Sequence, residues 1–215
     1  NKDKKNKGAL IFSMFERYHI GDYMDPSLFG PANVGSITSA VEWTNWRITI
    51  ENLYWEQWIN FKKHKFMVRV GNQLAAGLID PFRFKLATKN FTAGAFAYHV
   101  AKPAPAFGFG VSAKWMPANR SGVYVSGTIN DMNSNPATTG FDWSTVNGQF
   151  FYGAEVGYNW VRGKGDYDHL SLLVFYATDR STRNADTTPN EPGWGFSILG
   201  EKQWNRWVGF AKWTY

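Results

Sequence analysis

The sequence contains no cysteine, which excludes a disulfide scaffold and a thiolate metal site. It also lacks any long hydrophobic run: the longest clear stretch, Leu172 to Ala177, falls far short of the roughly 18 residues that mark a transmembrane helix. If the chain crosses a membrane, it must do so with strands. Charged residues are sparse at 19% against 44% hydrophobic, a balance that excludes disorder as the main state, as well as collagen and coiled coil. The four His, at 19, 64, 99 and 169, show no metal-binding spacing, and no cofactor is expected. Gly108-x-Gly110 lies in a strand pattern without the following helix that a dinucleotide fingerprint requires. The net charge of +6 is scattered, with four Lys in the first seven residues and others at 62, 63 and 65, so no nucleic-acid partner is expected. The start has neither an initiator Met nor the apolar core of a secretory signal, and we expect a processed or trimmed chain.

What the sequence has in abundance is aromatic residues, 18% of the chain, with 11 Trp, 10 Tyr and 17 Phe. Period-2 alternation bounded by turn residues predicts nine strands, at 8–18, 46–61, 65–71, 106–116, 122–131, 148–160, 167–178, 194–204 and 207–215. Their connections alternate between long and short without a break. Residues 19–45, 72–105, 132–147 and 179–193 are long; 62–64, 117–121, 161–166 and 205–206 are short. That rhythm belongs to an outer-membrane barrel, whose periplasmic turns are tight and whose external loops are free to grow. Trp58, Trp115, Trp160, Tyr167, Trp204 and Trp207 flank the short turns, as an interfacial girdle would. One face of 122–131 carries Val123, Val125 and Ile129 and the other Tyr124, Ser126, Thr128 and Asn130, and strands 106–116 and 148–160 alternate similarly. Such faces suit a lipid-facing exterior around a wet lumen or a half-buried soluble sheet. The strand count is odd, whereas single-chain bacterial barrels have even counts and no open edge. We therefore expect residues 1–215 to form a single β-barrel domain, incomplete at both ends.

Leu53-Tyr54-Trp55-Glu56-Gln57-Trp58, followed by Phe66-Met67-Val68-Arg69-Val70-Gly71-Asn72-Gln73, resembles the strand pair preceding the constriction in carbohydrate-selective porins of Gram-negative outer membranes. Ala106-Phe107-Gly108-Phe109-Gly110-Val111, then Lys114-Trp115-Met116-Pro117 and Val123-Tyr124-Val125-Ser126-Gly127, are similar to the family's glycine-rich strand, W-x-P turn and aromatic strand. Glu155-Val156-Gly157-Tyr158 and Phe210-Ala211-Lys212-Trp213 are similar in kind. The resemblance implies an all-β transmembrane antiparallel barrel, this chain being a fragment of one with sixteen strands. It further implies location in the bacterial outer membrane among its lipids, passive diffusion of mono- or oligosaccharides with no enzymatic step, and a homotrimer as one admissible assembly.

A sugar pore needs polar side chains that replace water's hydrogen bonds and aromatic faces for sugar C–H groups. By alternation the inward charges are Arg69, Lys114, Glu155, Glu201 and Lys212, and Glu56 joins them, although a bulge between Ile50 and Leu53 would change the phase there. The 72–105 connection is long enough to fold into the barrel, and the resemblance makes Asp80 and Arg83 its candidate constriction residues, with Pro103 and Pro105 stiffening its return. Glycoside hydrolysis would need two carboxylates about 5 to 9 Å apart; Glu51, Glu56, Glu155 and Glu201 offer candidates but no preferred pair. The sequons at Asn90 and Asn119 are incidental in a bacterial outer membrane. Two alternatives stay open at this point: a non-specific porin or plugged barrel, and a soluble carbohydrate-binding β-protein.

Overall fold

The computed structural model describes residues 6–16, 48–74, 77–83, 105, 107–132, 148–162, 167–178 and 192–215. Among them are nine strands and no helix: β1 (Lys7–Glu16), β2 (Ile48–Asn60), β3 (His64–Leu74), β4 (Phe107–Pro117), β5 (Gly122–Asp131), β6 (Phe150–Val161), β7 (Tyr167–Ala177), β8 (Gly193–Trp204) and β9 (Trp207–Thr214). They form one antiparallel sheet in chain order, each strand paired with its sequence neighbours. The ends of the order, β1 and β9, do not pair with each other, so the described sheet is open rather than a closed barrel.

Every predicted strand is present, with ends displaced by three residues at most, because alternating β-branched and aromatic positions favour a pleated surface. The short turns close tightly. In the two-residue turn between β8 and β9, Asn205 adopts a left-handed φ of 52°, a conformation asparagine tolerates, and Trp204 faces Trp207 across it. A bulge interrupts β1–β2: Ser13 opposes Asn52 while Met14 opposes Ile50, leaving Glu51 as the extra residue.

Antiparallel register puts directly opposed residues on the same face. One row crosses eight strands as Leu10, Trp55, Val70, Val111, Ile129, Tyr152, Tyr176 and Trp194, every one of them apolar or aromatic. A second crosses seven as Phe66, Trp115, Val125, Val156, Leu172, Ile198 and Trp213. Most of these side chains are exposed, Leu10 at 65% and Val174 on the row between at 50%. We call this the outer face.

The inner face reads differently. Its rows include Met67, Lys114, Ser126, Glu155, Leu173, Ser197 and Thr214 across seven strands, and Glu56, Arg69, Ser112 and Thr128 across four. Buried side chains on this face are mainly polar, among them Ser112, Ser126, Thr128, Glu155, His169, Ser171 and Glu201. The fold is thus apolar outside and polar inside, the reverse of an ordinary soluble domain. With a further row of Val123, Tyr158, Leu170, Gly200 and Ala211 there are four outer rows, roughly 6.8 Å apart on strands roughly 4.8 Å apart, which cover roughly 600 Å² in projection. That matches the upper end of the largest apolar patch on a soluble monomer, about 300–600 Å², before the flanking Phe12, Met14, Trp204 and Trp207 are added.

Candidate functional site

The site is the inner face together with the short segment 77–83, which lies against it. The contacts of that segment reach four strands, β6 to β9. Asp80 donates its backbone N–H to Glu155 Oε2 on β6 (2.5 Å), and Arg83 donates its own to Glu201 Oε1 on β8 (3.1 Å). The Arg83 guanidinium donates to Gln203 Oε1 (2.6 Å), and Lys212 Nζ on β9 lies 3.5 Å from Asp80 Oδ2. Phe82 packs on Phe210, with ring centroids 4.9 Å apart, beneath the Lys212 ammonium at 3.8 Å. Ile79 is fully buried in an apolar cluster with Met132, Phe151, Leu173, Phe175 and Ala177. Asp80 holds φ at 54°, a left-handed conformation that costs a non-glycine residue energy and that these contacts maintain.

Behind this segment runs a chain of buried polar groups. The Tyr124 hydroxyl donates to Glu155 Oε1 (2.6 Å) and meets His169 Nε2 at 2.7 Å. Because the hydroxyl's one proton goes to Glu155, it accepts from an Nε2–H tautomer of His169. His169 Nδ1 then faces Glu201 Oε2 at 3.7 Å. Gly157 is what lets Tyr124 lie flat: a Cβ there would meet the tyrosine ring at 2.5 Å. The same strand accommodates Ile79 over Gly153, where a Cβ would stand 2.8 Å from Ile79 Cδ1.

All eight residues singled out from sequence carry their side chains on this face or belong to the segment against it. Asp80, Arg83, Glu155, Glu201 and Lys212 form one connected group. Lys114 adjoins that group through Tyr124, its ammonium 4.2 Å from the ring centroid. Glu56 and Arg69 stand apart as an ion pair on β2–β3, Arg69 Nε donating to Glu56 Oε2 at 2.7 Å while its guanidinium covers the Tyr54 ring at 5.0 Å. The bulge at Glu51 explains the inward Glu56: unbroken alternation from exposed Ile48 would have turned it outward.

Two expectations are modified. Trp58 is not part of an outer girdle, because its indole N–H donates to Glu56 Oε1 at 2.6 Å on the inner face, whereas Trp115, Trp160, Trp204 and Trp207 are exposed. The inner wall is also less uniformly polar than alternation implied, since the cluster around Ile79 makes part of it apolar. Among the connecting residues, His19, His99, Asn90 and Pro103 and most of the 72–105 connection lie outside the described residues, as does the Tyr167 side chain. Sequence reasoning missed Tyr124, His169 and Gln203 as site residues. The available signal was a tyrosine on the polar side of β5, opposite glycine in β6.

Comparison with family models, with curated proteins and with solved structures returns no match. The site holds carboxylates and cations in pairs and aromatic rings beside cations, and no group of three or more metal-ligating side chains occurs among the described residues.

Proposed function

We propose that the chain is part of an outer-membrane β-barrel porin of the carbohydrate-selective kind, carrying mono- or oligosaccharides by passive diffusion. The observation that carries the proposal is the inverted sheet: exposed Val, Leu, Ile and aromatic rows on one face, buried polar and charged rows on the other, with segment 77–83 seated on the polar side. Lipid supplies the apolar medium the outer face needs, and water and solute occupy the polar side. The open edges at β1 and β9 fit a fragment of a larger closed barrel of sixteen strands, since unpaired edge N–H and C=O groups cost several kcal/mol each in hydrocarbon.

In this reading segment 77–83 narrows the lumen, Asp80, Arg83, Glu155, Glu201 and Lys212 form its charged constriction, and Glu56 and Arg69 line the neighbouring wall. No bond is made or broken. Sugars exchange water's hydrogen bonds for those of paired charges and pass on because no single contact is tight. Outer-membrane lipid is the proposed partner of the outer face, and a homotrimer is one admissible assembly.

Liposome swelling with the full mature protein tests this, comparing neutral mono- and disaccharides with amino acids of similar size. Faster swelling with sugars is the expected result. Equal rates would reduce the protein to a general porin, and no swelling from a sample that is β-rich by circular dichroism would remove the pore altogether.

A further inference from the structure

On the short-turn side of segment 77–83 the inner face holds a cleft of about 200 Å³, lined by Pro81, Lys114, Arg120, Tyr124, Asn159 and His169 among others. At a share of about 30 Å³ per liquid water, the cleft has room for six or seven waters, hence for one small ring and not a chain of them. Its charge is one-sided. Lys114 and Arg120 both line it, and neither has a carboxylate within ion-pairing distance among the described residues. Three other inner-face cations are engaged: Arg69 by Glu56, Lys212 by Asp80, and Arg83 by Gln203. The nearby carboxylate of Glu155 is occupied by the Tyr124 hydroxyl and the Asp80 N–H.

Lys114 is held in place by the Tyr124 ring at 4.2 Å, and Tyr124 is itself fixed by Glu155 and His169. Arg120 sits in the β4–β5 turn with φ at 66°, its backbone N–H donating to Pro117 O at 3.0 Å, which orients the residue. Two cations, Lys114 held by a ring and Arg120 carried on a fixed turn, with an amide beside them fit a carboxylate whose remaining oxygens are hydroxyls. We propose that this cleft is a binding subsite for an anionic monosaccharide, a sugar acid, lying just beyond the constriction. The subsite rests on the pore reading and narrows it: the pore would concentrate acidic sugars at the exit of its narrow zone.

The test uses the full protein in planar bilayers, with block of ion current by galacturonate, galactose and inorganic phosphate, for wild type and for K114Q/R120Q. Galacturonate is expected to half-block at about tenfold lower concentration than galactose, the gain of one charge-assisted contact. That preference should vanish in K114Q/R120Q and survive in K114R/R120K, with circular dichroism and heat stability showing both variants folded. Equal block by galacturonate and galactose in wild type, or a preference retained in K114Q/R120Q, overturns the subsite. Phosphate blocking as well as galacturonate overturns its assignment to a saccharide. Calorimetric titration of galacturonate into the detergent-solubilised protein separates the two proposals: binding without conductance removes the pore and keeps the subsite, whereas conductance without binding does the opposite.

Discussion

Tyr124 is fully buried on the polar face, its hydroxyl shared between a carboxylate and an imidazole and its ring lying over Gly157. Removing the hydroxyl leaves two buried polar groups without their partner. Tyr124→Phe is therefore expected to cost about 1–3 kcal/mol, read as a lower urea midpoint for the protein in lipid vesicles; an unchanged midpoint would mean the hydroxyl is replaced by solvent. Gly157→Ala attacks the same arrangement from beneath. A far side-chain end often yields to a new methyl, but this ring is pinned at its hydroxyl by two hydrogen bonds, so the backbone of β6 must move instead. The expected result is a loss of stability of about 1–3 kcal/mol, checked by the same denaturation. Alternation in β5 already sets Tyr124 among polar residues. That it reaches β7 could not be read from spacing, because the contact depends on Gly157, which lies inside β6 away from its turn.

Segment 77–83 is held by two kinds of contact. Backbone donors at Asp80 and Arg83 engage Glu155 and Glu201, and Ile79 fills the apolar cluster of Met132, Phe151, Leu173, Phe175 and Ala177. Truncating a fully buried isoleucine removes both transfer energy and packing, about 2–5 kcal/mol in a core, so Ile79→Ala should release the segment while the nine strands persist. Higher single-channel conductance with unchanged far-ultraviolet circular dichroism is the expected signature; unchanged conductance would show that the polar contacts alone suffice. Arg69→Ala and Arg83→Ala are expected to alter sugar flux or ion selectivity with the sheet intact, which reversal potentials and swelling rates measure. The length of the 72–105 connection and the Asp80-Pro81-Phe82-Arg83 run made this element visible in sequence. Its partners were not, because Glu155 and Glu201 lie on strands 75 and 118 residues away from the donors they bind.

At the scale of the molecule the outer face governs behaviour. Leu172 lies mid-strand on β7 in the row between Val156 and Ile198. In a bilayer, Leu172→Lys would set a charge near the midplane at a cost of about 2–4 kcal/mol, and insertion into vesicles should fall sharply. Undiminished insertion would argue that this face meets water or protein instead. The net charge of +6 acts over the same scale: a weak preference for anions is expected, seen as a reversal potential of anion-selective sign under a salt gradient and weakening as salt rises.

The sequence by itself determined the strands, their two faces and the antiparallel pairs joined by short turns, since period-2 patterning is local and a short turn forces an antiparallel neighbour, whereas pairing across the long connections was decided by the tertiary structure. It also determined which charges face inward at Arg69, Lys114, Glu155, Glu201 and Lys212. Only the tertiary structure decided which of these meet. The bulge that turns Glu56 toward Arg69, the inward turn of Trp58 and the seating of Ile79 over Gly153 each depend on register between strands, and register is a property of pairs that no single strand's pattern contains.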